Sequence, residues 1–500
     1  MKKLVSIIVA LGTIAVLNAQ EYLHIDSHWH GATIPIAEID SITYGELTHS
    51  DKLPALIASD PNLSLFNEAL LLTHLDDSLL AYINYDWKVE KDIFIDWNIY
   101  LTTLKASYYK FTAFVETNDV YARYGISTIE DLKKYAAKVY DEVYPEDAAI
   151  SDPTDRRNSL NRFVSYHIIN KYATTNLLTA AGTVVKECYD REVIDITDWY
   201  ETLMPHSILK CSAPLLSADS EQLYINRRGV ADHADNRGIF TKGAQITYSA
   251  STLNGIYHYI DDIIAYDKST QEQTLNDRIV LNNSTLTPEI MNSGRLKGED
   301  SEQSFEYVIT PDVKMANMSF SGMSKMYYYY QSSSKALDGD DFIFQEYDSE
   351  TEIVIDLPAV PAGEYELCLG TSANAFSTYP ICFALNGVQC GDTMYIAKNA
   401  SQEYGWVSDA ELGSEQAIAQ NDSLLYTHRW RKSLPYYYPQ KKESGISMRD
   451  IKYLGRCVVT RFVSDGKSRN CLSIKRGESF GSQFFIDYIE LCPTSICDNK

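Results

Sequence analysis

Several places in this 500-residue chain gather side chains able to do chemistry. Near the start stand His24, His28, Trp29 and His30, at spacings that suit a transition metal. Asp232, His233, Asp235 and Arg237 combine metal-ligand and acid–base types within the glycine-flanked stretch Gly229 to Gly238. Asp338-Gly339-Asp340-Asp341 offers hard oxygens for calcium but departs from the EF-hand ligand spacing. Tyr327 to Tyr330 and Tyr436 to Tyr438 offer aromatic faces on which sugar rings could stack. Each set also has a plainer reading: a mobile terminal leader, a surface loop, a solvated acidic turn, and ordinary strand tyrosines. In a strand, alternate rings point to opposite faces, so at most half of a tyrosine run could meet one ligand. The chain has no nucleophile elbow, P-loop, dinucleotide fingerprint or zinc-protease helix. Glycoside hydrolysis needs only two positioned carboxylates and stays open, but no pair stands out among 68 acidic residues.

The elements that would position such groups are clearest around Phe111-Thr112-Ala113-Phe114-Val115-Glu116-Thr117-Asn118-Asp119-Val120-Tyr121. The alternation predicts a buried strand, and Glu116 to Asp119 supplies acceptors for the free N–H groups of a helix that ends at Gly125. Ser127-Thr128-Ile129-Glu130 reads as a capping box for a second helix. Upstream, Leu56, Ile57, Leu65, Phe66, Ala69 and Leu70 recur at helical spacing. A helix from about Asp155 to Ser165 is expected to deliver Tyr166 and His167, and Asn254-Gly255 reads as a tight hairpin turn with positive φ at both central positions.

Three of these stretches, in order, resemble the signatures of fasciclin-type adhesion domains. The segment ending in Thr117-Asn118-Asp119 is similar to the family's T-x-F-x-P-T-N-D strand, with Glu116 where the family has proline. Tyr166-His167-Ile168-Ile169 resembles its Tyr-His segment. Asn254-Gly255-Ile256-Tyr257-His258-Tyr259-Ile260-Asp261 resembles its closing N-G-x-x-H-x-I-D hairpin. The resemblance implies an α+β adhesion domain over 51–268. It marks Thr117, Asn118, Asp119, Tyr166, His167, Asn254, Gly255 and His258 as the motif positions a partner would meet, with half-buried packing as the alternative role for His167.

From Phe305 onward the pattern changes to period two. Ile353, Ile355 and Leu357 alternate with Glu352, Val354 and Asp356, and Tyr365, Leu367 and Leu369 alternate with Glu364, Glu366 and Cys368. Turn signals at Pro361-Ala362-Gly363, Asn386-Gly387 and Asp465-Gly466 separate short runs, which predicts an all-β antiparallel sandwich. The spacing of Pro-Ala-Gly-x-Tyr-x-Leu, Leu-Asn-Gly and the closing Phe485 to Leu491 looks like a galactose-binding-like jelly roll. The expected organisation is a signal peptide at 1–20, a mobile leader at 21–50, the fasciclin-like domain at 51–268, a bridge at 269–305 and the β-sandwich domain at 306–497.

Lys+Arg 44 against Asp+Glu 68 leaves a net charge of −24, which disfavours nucleic acid and anionic lipid. Lys2 and Lys3, the apolar run Leu4 to Leu17 and the small residues at Asn18-Ala19-Gln20 form an export signal. No second long apolar run follows, so no membrane span is expected after the signal is removed. Cys188 and Cys211 lie in the first part and seven cysteines in the second, nine in all. Disulfides are permitted in an exported protein, and the odd count leaves at least one thiol over. No C-x-x-C pair suggests a zinc ribbon. The sequence therefore predicts an exported, non-catalytic binding protein with no cofactor and no metal, whose partner is an extracellular or envelope protein, a glycan, or both. The alternatives are a glycan-cleaving enzyme and a structural subunit of an envelope assembly.

Overall fold

The structure is a computed structural model that describes residues 22–26, 31–35, 51–89, 101–104, 106–175, 177–178, 195–214, 222–230, 239–241, 243–293, 305–330, 340–372, 379–396, 404–407, 409–432, 454–476 and 484–497. Two compact units emerge, Met1–Leu47 and Thr48–Lys500. In the first, Tyr22–Asp26 pairs antiparallel with Gly31–Pro35 and sets His24 opposite Thr33. The expected leader thus holds a hairpin. The signal segment 1–20, His28, Trp29 and His30 lie outside the described residues, as does the loop of Asp232, His233, Asp235 and Arg237.

The second unit begins with helices Leu53–Ala58 and Ser64–Leu72. Ile57, Leu65, Phe66, Ala69 and Leu70 are buried, as their spacing predicts, whereas Leu56 is only half-buried and Leu53 takes the core position. Burial of each large apolar side chain contributes about 1.5–3 kcal/mol. These helices pack near a seven-stranded sheet of order Ile168–Ile169, Phe111–Glu116, Gly255–Ile260, Ala244–Thr252, Tyr224–Ile225, Ile208–Pro214, Asp195–Glu201. The pair Phe111–Glu116 with Gly255–Ile260, second and third in that order, is parallel, and the remaining pairs are antiparallel. The parallel pair brings two motifs that are far apart in sequence side by side, with Gly255 opposite Phe111 and Ile260 opposite Glu116.

Helix Ile129–Val143 has its capping box one residue later than the sequence suggested. Thr128 accepts from the Asp131 amide, and the Asp131 carboxylate accepts from the Thr128 amide. The helix before His167 is shorter than expected, Ser159–Tyr166.

The carboxyl-terminal part builds two further sheets. A five-stranded antiparallel sheet runs Ile279–Asn282, Tyr488–Pro493, Gly363–Ser372, Leu454–Ser464, Trp430–Arg431. A nine-stranded sheet has the long hairpin Met318–Tyr330 and Asp340–Leu357 at its centre. The sheets meet where Cys457 packs on Met394 and where Thr371 donates to the Phe485 carbonyl at 2.8 Å. This is a β-sandwich arrangement, with three departures from an all-β antiparallel module. Helix Glu415–Thr427 lies within it. The bridge supplies strand Ile279–Asn282 to the five-stranded sheet. Leu101–Thr103, from the first half of the chain, pairs parallel with Phe305–Ile309 in the nine-stranded sheet.

Alternation misses the burial of both faces of Gly363–Ser372. Tyr365, Leu367 and Leu369 face one side, yet Glu366 and Cys368 on the other are equally buried. Tyr327 and Tyr328 are core residues, 5% and 0% exposed, so they offer no sugar platform; Tyr436 to Tyr438 lie outside the described residues. Asp340 and Asp341 stand in a strand, paired with Tyr330 and Tyr329, rather than in a calcium loop. Cys492 and Cys497 form a disulfide. Cys368, Cys382, Cys390, Cys457 and Cys471 are free thiols, Cys211 is buried, and Cys188 lies outside the described residues.

The two Asn-Gly turns differ. Asn386 and Gly387 both have positive φ, 52° and 79°, and Leu385 pairs with Val388, so they are the central residues of a tight turn. At the other site Thr252 pairs with Gly255, which makes Leu253 and Asn254 the central residues, and neither Asn254 nor Gly255 has positive φ. Glycine is required at 255 for space: a Cβ there would lie 2.8 Å from Leu53 Cβ and 3.0 Å from the Phe111 carbonyl oxygen. Gly255→Ala should therefore destabilise by about 1–3 kcal/mol through overpacking. Urea unfolding followed by fluorescence would measure it, with the exposed Ser251→Ala as a near-neutral control.

Candidate functional site

The motif residues converge on the parallel strand pair, and most are consumed there. Asn118 stitches the start of helix Asn118–Arg123 to the upstream helices. Its amide donates to the Pro61 carbonyl and to Ser64 Oγ, both at 3.0 Å, and its Oδ1 accepts from the Leu65 amide at 3.2 Å. Thr117 is the N-cap residue but makes no side-chain cap bond, and Asp119 is exposed in the first helical turn. Asn254 is fully buried. It accepts from the Leu53 amide at 2.9 Å and donates to the Leu79 and Ala81 carbonyls at 2.7 and 2.9 Å. Tyr166 is fully buried and bonds to the Ile208 carbonyl and to Asn226 Nδ2.

His167 and Glu116 meet with neither exposed to solvent. His167 Nδ1 donates to the Phe163 carbonyl at 2.7 Å, because a carbonyl only accepts, and Nε2 faces Glu116 Oε1 at 2.8 Å. Glu116 also accepts from Tyr121 Oη at 2.9 Å and from the Ile264 amide at 3.1 Å. The close pairing and the further donors to Glu116 offset the cost of burying both groups. His258 is buried on the same side of the sheet. It bonds to the Ala173 carbonyl at 2.8 Å and Ser249 Oγ at 2.7 Å and stacks on Phe114. Burial lowers its pKa to about 4, so it is neutral under ordinary conditions.

The opposite face of the same hairpin is different. Tyr257 and Tyr259 alternate with His258 and so point away from it. Their rings lie nearly parallel, with centroids 5.5 Å apart. Tyr248, across the ladder from Tyr259, sits 5.0 Å from it and is 52% exposed. A register shift between Ile246 and Tyr248 precedes it, a local irregularity of the sort that re-aims strand side chains. Asp60 Oδ2 accepts from Tyr257 Oη at 2.6 Å and from Tyr259 Oη, and its Oδ1 accepts from the Asn62 amide at 2.9 Å. Burial pushes the Asp60 carboxyl up, but these hydrogen bonds outweigh it and hold the group below its ordinary value. Exposed Asn62 reaches Tyr259 Oη at 3.4 Å. The result is an ordered tyrosine shelf with a carboxylate and an amide at its edge.

The outer face of the five-stranded sheet carries two fully buried glutamates. Glu366 accepts from Arg431, Arg461 and Tyr426, at 2.5 Å for Arg431 Nε and 2.9 Å for Tyr426 Oη. Glu490 accepts from Arg456 at 3.0 Å to both oxygens and from Arg278. Burial opposes ionisation in both, but the guanidinium groups outweigh it, and Glu490 is brought down to about 2. Both therefore stay ionised, and neither can act as the proton donor that glycosidic cleavage requires. Among the described residues, no group of three or more histidine, cysteine or acidic side chains could hold a metal ion.

Sequence reasoning missed Asp60, Asn62, Tyr248 and both arginine–glutamate clusters. The alternation of Tyr257 and Tyr259 around His258 was a usable signal. The pairing with Asp60 had none, since 197 residues separate Asp60 from Tyr257.

No family model matches the chain, and no curated protein matches it. Among solved structures it is similar to a Paenibacillus xanthan lyase, with 8% identity, a TM-score of 0.22, and 58% of this chain and 21% of that one covered. It is also similar to a family 35 carbohydrate-binding module from Clostridium thermocellum, with 12% identity, a TM-score of 0.17, and 38% and 97% covered. A third is the insecticidal crystal protein Cry2Aa, with 10% identity, a TM-score of 0.22, and 55% and 46% covered. The chain spans about a fifth of the lyase's length. At these TM-scores the likenesses carry no argument about ligand or activity. No helix among the described residues is long and apolar enough to cross a membrane.

Removing a buried carboxylate that serves several donors leaves them unpaired, so Glu116→Ala should cost about 3–5 kcal/mol. Asp119→Ala, in an exposed position, should stay within about 0.5 kcal/mol by the same unfolding assay. Stability should also fall on acidification in two windows. His258 has a folded pKa below its unfolded one, so its contribution is intact above about pH 6.5 and is lost down to about 4. Glu490, likewise depressed, loses its contribution from about pH 4.5 down to about 2. Urea midpoints against pH should show the upper step flattened in His258→Gln and the lower one flattened in Glu490→Gln.

Proposed function

We propose that this chain is an exported, non-catalytic binding protein that takes a glycan on the ring faces of Tyr248 and Tyr259, with buried Tyr257 packed against them. The observation that carries this reading is the half-exposed Tyr248 ring beside Tyr259, with Asp60 and Asn62 at the margin. Pyranose rings present C–H faces that suit aromatic surfaces, and their hydroxyls suit carboxylate and amide partners. The strongly negative chain favours neutral or basic glycans over polyanions.

The reading of 51–268 as fasciclin-like is supported by the meeting of its motifs at one strand pair. The reading of the later part as a galactose-binding-like jelly roll is supported by its facing antiparallel sheets. The arginine clamps on Glu366 and Glu490 remove these two from the acids that could act in cleavage. Export rests on the amino-terminal charge and apolar pattern.

The test is a glycan array followed by titration calorimetry on the purified chain. A neutral oligosaccharide should bind, and Tyr248→Ala should weaken it by about 1–3 kcal/mol, the size of an aromatic stacking contact at a ring face. The melting temperature should not change. Equal affinity in the variant, or no glycan bound on the array, overturns the reading.

A further inference from the structure

A second recess lies away from the tyrosine shelf, between helix Ile129–Val143, the segment 148–153 and the start of helix Ser159–Tyr166. Its volume is about 210 Å³. That is below the roughly 300 Å³ at which pockets for drug-sized ligands begin, and it equals the share of about seven waters. A ligand there must be close to a single small ring.

The helix supplies one side through Lys133, Ala137 and Asp141, a stripe at intervals of four residues. Lys133 and Asp141 stand about 12 Å apart along the axis, and small Ala137 between them leaves the space. The facing side is apolar at Ile150, Pro153 and Leu160. The polar groups are not spent as they are at the shelf. Ser159 Oγ donates to Asp141 Oδ1 at 2.6 Å, which fixes that carboxylate, while Asp141 Oδ2 takes no hydrogen bond from the described residues. Lys133 keeps donors beyond its bond to Glu130 Oε1 at 2.7 Å. Asn158, by contrast, is used up holding the local fold, capping the Leu160 amide and donating to the Ile150 carbonyl.

We infer that this recess is a binding site for one pyranose ring, neutral or amino-substituted, independent of the tyrosine shelf. The anchored Asp141 carboxylate accepts from ring hydroxyls, the Lys133 ammonium donates at the far end, and the apolar wall takes a C–H face. A carboxylated sugar is disfavoured because Lys133 is already paired with Glu130, which leaves Asp141 as the unbalanced charge facing the recess.

Saturation-transfer NMR on the full chain tests this with the methyl glycoside of a neutral hexose, a 2-amino-hexose and a hexuronate. The neutral and amino sugars should bind in the millimolar range and the hexuronate should not. Asp141→Asn keeps an acceptor for Ser159 but removes the charge, and Ala137→Leu fills the space. Each should weaken binding about tenfold or more, the worth of a hydrogen bond to a charged group. Tyr248→Ala removes only the shelf's share of the signal, and the share lost in Asp141→Asn and Ala137→Leu should remain in it. The proposal is overturned by absence of binding, by equal binding of the hexuronate, by insensitivity to both recess variants, or by loss of the signal in Tyr248→Ala alone. That last result would leave the tyrosine shelf as the sole site, so the two readings fail separately.

Discussion

A carboxylate with no access to water must be met by donors on every side, and Glu116 shows what that demands of a fold. Its partners come from helix Asn118–Arg123 through Tyr121, from the end of helix Ser159–Tyr166 through His167, and from the chain after strand Gly255–Ile260 through the Ile264 amide. Three separate segments must arrive before the charge is accommodated, and once they have, loss of any one leaves a buried group unpaired. Asn254 works the same way at the opposite end of the strand pair, where it ties the hairpin to Leu53, Leu79 and Ala81. The parallel pair is thus clamped at both ends by polar side chains, and the apolar core fills between.

This division explains why one hairpin has two characters. Histidine and glutamate on one face are consumed by structure, while Tyr257 and Tyr259 on the other meet Asp60, Tyr257 buried and Tyr259 half-exposed. The residues that sequence motifs single out are therefore mostly those that hold the sheet together. Binding capacity is left to neighbours one position away, because a strand alternates its faces.

Local patterns were legible where local chemistry decides. The strand through Phe111 to Glu116 stands where its apolar run places it, buried on both faces, helix Ile129–Val143 starts at a capping box, and Asn386-Gly387 turns as its residue types require. The same dipeptide at 254–255 misleads, because the register placed Leu253 in the turn and crowding by Leu53, which no nearby residue announces, fixed the glycine. Glu366 reads as the solvent side of an amphipathic strand, and Glu490 carries no local signal of its own. They are buried because Arg431, Arg461, Arg456 and Arg278 reach them from elsewhere and because helix Glu415–Thr427 brings Tyr426 over that face. Ion pairing across long separations overrides a period-two signal and leaves no trace in it.

The pairing of Leu101–Thr103 with Phe305–Ile309 joins residues 205 apart in sequence, from 101 to 306. A strand that emerges early is left without its neighbour until synthesis has passed the midpoint of the chain. Assembly of this sheet must wait on distant chain, and contacts of such long range slow the search for the native arrangement. The order of synthesis and the order of completion consequently differ, and the early half spends that interval with an open edge that a helper or a rapid collapse must shield.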